Sequence, residues 1–163
     1  MKKYRLVFVF MSIVLFSSVF VFSGCSSNDE DESIIGNWYY NETNVGGYSV
    51  KISFFFSENG TYLSYDNVMG NGKSSMSIRT NGTYSFDGAQ LTLVDNNGTV
   101  KGTDVNGDES MNFDRGEWTG NPELFTTRYK ATISGRKIII NDYVVKTPEW
   151  ENLKIPTVIF EKN

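Results

Sequence analysis

Histidine is absent from the 163 residues of this chain, cysteine occurs once and proline occurs three times. Without an imidazole, histidine-containing catalytic triads, histidine-ligated metals and histidine charge switches near neutral pH are excluded. The lone cysteine, Cys25, excludes an internal disulfide and a site built from several thiolates. Basic side chains number 15 against 19 acidic ones, giving a net charge of −4. We therefore expect no nucleic-acid partner, because the chain is poorly suited to track phosphates.

Residues 1–24 have the pattern of an export signal. A basic patch over residues 1–5 precedes residues 6–22, which contain no charge. Phe-Ser-Gly-Cys at 22–25 then resembles the lipobox of bacterial lipoproteins, in which a cysteine is diacylated and becomes the new N terminus. An uncleaved membrane anchor is the alternative, but 17 apolar residues are short for a span and end in small residues. We predict cleavage before Cys25, whose acyl chains then hold the protein on a membrane.

Residues 25–33 are predicted to be a flexible, acidic tether, because this stretch has almost no apolar surface to bury. Cleavage removes three cations and no acid, which takes the net charge of the mature chain from −4 to −7. Two interpretations of the acidic run at 29–32 stay open. It is a simple spacer, or it resembles the signal that some gram-negative groups use to send lipoproteins to the outer face of the cell. We expect an outer-membrane lipoprotein, with exposure at the cell surface under the second interpretation.

From residue 34 onward, apolar and polar residues alternate with a period of two, and turn residues recur every 8 to 12 positions. This pattern is typical of an antiparallel all-β domain. Two hairpins are predicted from it, one placing Phe56 opposite Tyr62 and one turning at Asp87-Gly88. Asn-Gly-Thr recurs at 59, 81 and 97 and predicts a turn each time.

The alternation predicts nine strands, at 34–43, 48–56, 61–69, 76–86, 90–95, 99–104, 125–134, 137–145 and 155–162. An up-and-down barrel that closes antiparallel needs an even number of strands. Either 99–104 lies outside the barrel, which leaves eight strands, or 110–118 supplies a tenth. We prefer eight, because the glycines and acids around Gly102 to Asp108 are poor strand formers. The prediction is one antiparallel up-and-down β-barrel domain over 34–163, with a β-sandwich as the alternative.

Short motifs along this domain resemble those of lipocalins and related calycin barrels. Gly36-Asn37-Trp38 is similar to the Gly-x-Trp that opens such barrels, and Lys162 stands where they carry a closing arginine. The likeness is strengthened by Asn-Gly-Thr-Tyr at 59–62, Gly-Thr-Tyr at 82–84 with Gln-Leu-Thr-Leu at 90–93, and the closing segment 158–162. Together they resemble bacterial lipocalin-like lipoprotein domains. The resemblance implies that Gly36, Trp38 and Lys162 meet where the barrel closes.

No set of residues predicts catalysis or metal binding. Asp66, Asp142 and Glu151 have no spacing that indicates a glycosidase pair of carboxylates. The loop at 104–108 begins like a calcium-binding loop, but Glu109 replaces its required glycine. We therefore expect a protein that is not an enzyme and that has neither a cofactor nor a metal.

Aromatic residues are the remaining functional signal. Trp118 and Trp150 fall in the long connections 96–124 and 146–154, which the barrel would place at the end opposite Trp38. Tyr40, Tyr48 and Phe113 complete the predicted ligand-binding set.

Two functions fit this aromatic set. The first is a calyx that holds a small, partly apolar ligand in a cavity of roughly 300 to 1,000 Å³. The second is a surface module that recognises glycan or protein through its loop aromatics while other side chains fill the barrel interior. We expect a monomer in either case.

Overall fold

A computed structural model of the protein describes residues 32–117, 122–149 and 151–163. The predicted signal peptide, Cys25, nearly all of the predicted tether, Trp118 and Trp150 lie outside the described residues. No helix among the described residues is long and apolar enough to cross a membrane. The described ranges contain nine strands and one 3₁₀ helix, in chain order: β1 (Gly36–Val45), β2 (Tyr48–Phe56), β3 (Thr61–Met69), β4 (Ser75–Phe86), β5 (Gln90–Thr103), β6 (Glu109–Glu117), η1 (Pro122–Phe125), β7 (Thr126–Ser134), β8 (Lys137–Lys146) and β9 (Asn152–Lys162).

The strands form a closed antiparallel barrel, as the alternation predicts. Each of β1 to β5 pairs with the next, β7 pairs with β8 and β8 with β9, and β9 returns to β1. Strand β5 pairs with β7 along residues 90–94 and with β6 along residues 97–103. Strands β6 and β7 therefore share one position in an eight-position barrel, and β6 is the extra strand. Closure excludes the alternative β-sandwich.

The predicted place of the extra strand was wrong. Segment 99–104 does not lie outside the barrel, because β5 runs without a break from Gln90 to Thr103. Val100 is fully buried in the core, and β4 pairs with β5 along this whole length. The additional strand is instead β6, which coincides closely with the segment considered as a tenth strand. Short β7 leaves half of β5 without a partner, and β6 fills that half.

Two of the three predicted Asn-Gly turns are also wrong. Asn59-Gly60 does form a turn, in which the backbone N–H of Gly60 donates to Ser57. Asn81 and Asn97 instead pair with each other in the middle of β4 and β5. A side-chain carbon at Gly98 would lie 2.7 Å from the carbonyl oxygen of Arg79, so glycine permits close backbone approach at this irregular point.

Apolar side chains fill both ends of the barrel. At the end where Trp38 lies, the neighbouring core includes Phe54, Phe56 and Phe160, with ring centroids of Phe54 and Phe160 5.3 Å apart. Buried aliphatic side chains fill the end that carries the turn at 69–75. They include Val50, Val68, Met76 and Val145. Burying each of the larger side chains contributes roughly 1.5–3 kcal/mol to folding. Between these two apolar ends, the middle of the interior holds a cluster of polar side chains.

Candidate functional site

The predicted closure residues lie together at one end of the barrel. Lys162 pairs with Trp38 across β9 and β1, and its ammonium nitrogen lies 5.4 Å from the centre of the indole ring. The same nitrogen donates a 3.2 Å hydrogen bond to the carbonyl of Ser33. Gly36 has a φ of +128°, and a side-chain carbon there would lie 2.9 Å from Cε of Lys162. Glycine therefore lets the lysine pass close to the backbone while it covers the indole.

Tyr40 and Tyr48, the two predicted ligand-binding residues whose side chains the structure describes, lie in different surroundings. Tyr40 is buried in the interior, where its hydroxyl donates a 2.6 Å hydrogen bond to Glu42. Burial and this carboxylate raise the pKa of Tyr40. Tyr48 lies at the loop end and donates a 2.9 Å hydrogen bond to Glu149. Phe113 lies on β6, where it pairs with Val100 of β5. The side chain of Phe113 is outside the described part of the structure.

A polar cavity of about 80 Å³ lies in the middle of the barrel. The sequence pattern does not predict this cavity, although Asp66 is one of the three carboxylates without a glycosidase spacing. Its walls combine two carboxylates, three tyrosines, smaller hydroxyl side chains and a few apolar residues. The lining residues are Phe54, Tyr62, Ser64, Asp66, Thr80, Leu93, Asp95, Thr127, Tyr129, Tyr143 and Val144.

Asp66 is an acid with a strongly raised pKa in this cavity. Burial raises the pKa of its carboxyl group from 3.8 to about 7. The hydroxyl of Tyr143 donates to both carboxylate oxygens at 3.4 Å, which lowers the pKa, and the charge of Asp95 raises it. Both hydrogen bonds are long, so they offset little of the cost of burial. Asp66 therefore changes charge near neutral pH.

The tyrosines supply protonated hydroxyls around the two acids. Tyr62 donates a short hydrogen bond to Asp95, and Tyr143 reaches Asp66 from the opposite side of the barrel. The rings of Tyr129 and Tyr143 stack with centroids 5.1 Å apart. Burial, followed by the nearby carboxylates, raises the pKa of all three tyrosines, so their hydroxyls stay protonated at neutral pH. The cavity thus offers acceptors on its acids and donors on its tyrosines.

The cavity meets the surface where β7 and β8 separate. The pairs between these strands run from Ser134 back to Ala131, while β8 continues beside β9 to its end. The cavity walls include Thr127 from β7 and Val144 from β8, and both of these side chains are exposed. Tyr129 stands half-buried between the interior and this opening. Access to the cavity is therefore lateral and lies between the two strands.

The alternation of inward and outward residues along β3 and β5 indicates the acids of this site. On β3, the positions that point inward are Tyr62, Ser64, Asp66 and Val68, so an acid occupies an inward position. Asp95 similarly follows Leu91 and Leu93 on the inward face of β5. An ionisable residue in an inward row is uncommon and indicates a functional or buried polar site. The two acids are brought near each other by the register of β4 with β3 and with β5, which the alternation does not specify.

The cavity is much smaller than the predicted calyx. Its 80 Å³ lies below the roughly 300 Å³ at which ordinary ligand pockets begin.

No protein-family model matches the chain, and no curated protein matches it. The closed eight-position barrel is compatible with a calycin fold and with ligand binding of the lipocalin kind.

Proposed function

We propose that this protein is a lipid-anchored, extracytoplasmic, lipocalin-like binding protein that takes a small, partly apolar ligand into the interior cavity. The observation that carries the proposal is the pair of acids, Asp66 and Asp95, in the cavity between the two apolar ends of the barrel. Buried carboxylates cost folding free energy unless they are paired, so they are more often kept for function than for stability. The protein acts as a carrier or receptor and not as an enzyme.

The walls of the cavity define the chemistry of the ligand. No basic side chain is among the described residues that line it, so Asp66 and Asp95 offer acceptors to a donor group such as a primary ammonium. Phe54 and Leu93 offer apolar surface to the rest of the molecule. The volume admits a ligand of a few heavy atoms. A larger ligand displaces Tyr129, whose side chain stands at the lateral opening.

The test of the interior site uses the acylated protein in detergent. Native mass spectrometry of protein purified from its host should show a retained small molecule, and ethylammonium should bind in a saturation-transfer NMR experiment. Asp66→Asn should weaken ethylammonium binding about tenfold or more, because a charge-assisted hydrogen bond is lost. Asp142→Asn is the matched control, since Asp142 is an exposed acid that pairs with Lys154. Equal binding by the two variants, or no retained molecule and no ethylammonium binding, contradicts the proposal.

The anchor is tested separately through Cys25. In the Cys25→Ala variant, the precursor should stay uncleaved or be cut aberrantly, and it should take up no labelled fatty acid. Labelling that matches the unmodified protein would refute lipidation at this residue.

Replacement of the four acids at 29–32 by alanine tests the tether. We expect unchanged folding, because the segment has no apolar side chain to bury. If the run directs the protein to the cell surface, protease accessibility on intact cells should fall. Unchanged accessibility assigns the run to the spacer interpretation.

A further inference from the structure

The outer wall formed by β1 to β5 is positively charged, although the chain is acidic overall. The strand register aligns its outward side chains in three rows. The rows are Asn37, Phe55, Leu63, Asn81 and Asn97; Tyr39, Ser53, Tyr65, Arg79 and Thr99; and Asn41, Lys51, Asn67, Ser77 and Lys101. The rows contain three cations and no acid. This wall is complementary to an anion.

Ion pairs match three of the cations on the opposite wall. Three ion pairs join described residues, at N–O distances of 2.9 to 3.7 Å, and all of them involve η1 or β7 to β9. They are Arg128 with Glu123, Lys137 with Glu161 and Lys154 with Asp142. None involves Lys51, Arg79 or Lys101. Among the described ion pairs, Lys51, Arg79 and Lys101 are therefore available to an external anion, whereas three cations of the opposite wall already have acidic partners.

A groove of about 270 Å³ crosses the positive wall. Tyr39 and Tyr65 form its two sides and Ser53 forms its floor, because Tyr39 pairs with Ser53 and Ser53 pairs with Tyr65. Two strand spacings put the tyrosines about 10 Å apart. Their exposed fractions are 46% and 39%, which is high for aromatic side chains. The guanidinium of Arg79 lies 5.8 Å from the centre of the Tyr65 ring and supports it from β4.

One end of this groove is polar and charged. Asn41, Lys51 and Asn67 form the next outward row and line the groove. The two amides can both donate and accept hydrogen bonds, and the ammonium adds one positive charge. The groove thus has aromatic sides, amide groups and a cation within the span of one ring-sized molecule. Neutral apolar ligands would leave the amides and the ammonium unused.

We propose that this groove binds a uronic-acid residue of an acidic polysaccharide. Tyr39 and Tyr65 contact the C–H faces of the sugar ring, Asn41 and Asn67 hydrogen-bond to its hydroxyls, and Lys51 pairs with its carboxylate. The site is independent of the interior cavity, because it lies on the outside of β1 to β3. Failure of either site leaves the other standing.

The test titrates the acylated protein with a galacturonate tetrasaccharide and with its methyl ester, using isothermal titration calorimetry. The acid form should bind more tightly than the ester. Tyr39→Ala and Tyr65→Ala should each weaken both titrations about tenfold, because stacking is lost. Lys51→Met should weaken the acid form about threefold to fivefold and leave the ester unchanged. Higher salt should reduce the difference between the acid form and the ester.

Two variants on the same wall serve as controls. Phe55→Ala removes an aromatic side chain with the same 46% exposure as Tyr39, but from outside the groove. Lys101→Met removes a cation two strands away from Tyr65. Neither should affect binding.

Several results would overturn the proposal that this groove binds a uronic acid. These are the absence of tetrasaccharide binding, a preference for the ester, or losses in the controls that equal those in the groove variants. Binding to phosphatidylglycerol vesicles without tetrasaccharide binding would also overturn it, because the wall would then recognise a lipid surface. Thermal melting should be unchanged in every variant, since all of the substituted side chains are half-buried or exposed.

Discussion

Burial has opposite effects on stability at the closed end of the barrel and in its middle. At the closed end, Trp38 is fully buried, its indole N–H donates a 2.6 Å hydrogen bond to the carbonyl of Ile34, and Lys162 covers the ring. The indole N–H and the Lys162 ammonium there each have a partner that favours the folded state. In the middle, burial raises the pKa of Asp66 to about 7, so its ionised form opposes folding. Trp38 and Lys162 therefore stabilise the folded barrel, whereas the ionised form of Asp66 destabilises it.

The largest expected effect on stability comes from removing Trp38 at the closed end. Trp38→Ala should lower the free energy of unfolding by about 3–5 kcal/mol, because it leaves a cavity where a large buried side chain was. Lys162→Ala should cost only about 0.5–1 kcal/mol, the value of a partly exposed cation over an aromatic ring. Urea unfolding of both variants measures the difference.

A double-mutant cycle completes this test. Once the indole is gone, removing Lys162 should cost little more, because the two side chains are in contact and their effects are coupled. Coupling near zero would show that the lysine does not support the indole in solution, and the pairing of β9 with β1 would then need another explanation.

The second prediction concerns pH and the middle of the barrel. Asp66 has a folded-state pKa of about 7, above its ordinary value of 3.8, so its contribution to stability is present below pH 3.8 and is lost as the pH rises through 7. The loss should be on the order of 2–4 kcal/mol, since one pKa unit corresponds to about 1.36 kcal/mol. Asp66→Asn should remove this dependence and stabilise the protein at about pH 8.

Thermal melting at about pH 5 and about pH 8 measures this change. Asp87→Asn is the control, because Asp87 is an exposed turn residue whose pKa is lowered by backbone hydrogen bonds from Ala89 and Gln90. Its contribution is lost only as the pH falls through that lowered value, so the control should keep the wild-type slope between the two conditions. A wild-type protein that is equally stable at both would contradict the raised pKa of Asp66.

The smallest expected effect concerns the hydrogen bonds from Tyr143 to Asp66 in the cavity. Tyr143→Phe should cost at most about 1 kcal/mol, because its hydrogen bonds to Asp66 are 3.4 Å long. Loss of this donor should also raise the pKa of Asp66 further, as measured by ¹³C NMR of the carboxyl carbon. Tyr129→Phe keeps the ring stack and leaves the hydroxyl donor of Tyr143 in place, so it should move the pKa less. An equal shift in both variants would mean that the hydrogen bond is not the cause.

Local sequence determined most of the strands and several of their contacts. Period-two alternation predicted an all-β barrel, and the hairpin at 57–60 places Phe56 opposite Tyr62 as expected. Prediction succeeded there because register within a hairpin is set by the turn and by which face is apolar. It failed at Asn81 and Asn97, where the same Asn-Gly-Thr motif lies inside paired strands. A glycine serves a turn or a close backbone approach equally well, and only the neighbouring strand decides which.

The sequence by itself determined which side of each strand faces inward, and with it the inward positions of Asp66 and Asp95. Only the tertiary structure decided that these acids share one cavity with Tyr143, since β3 and β8 meet across the barrel after closure. It also decided that Tyr39 and Tyr65 flank one groove, because that depends on the register of three strands at once. Alternation is a property of one strand, readable from its own residues. Contacts across a barrel or along its wall depend on how separate strands align, and that alignment is set by the packing of the whole core.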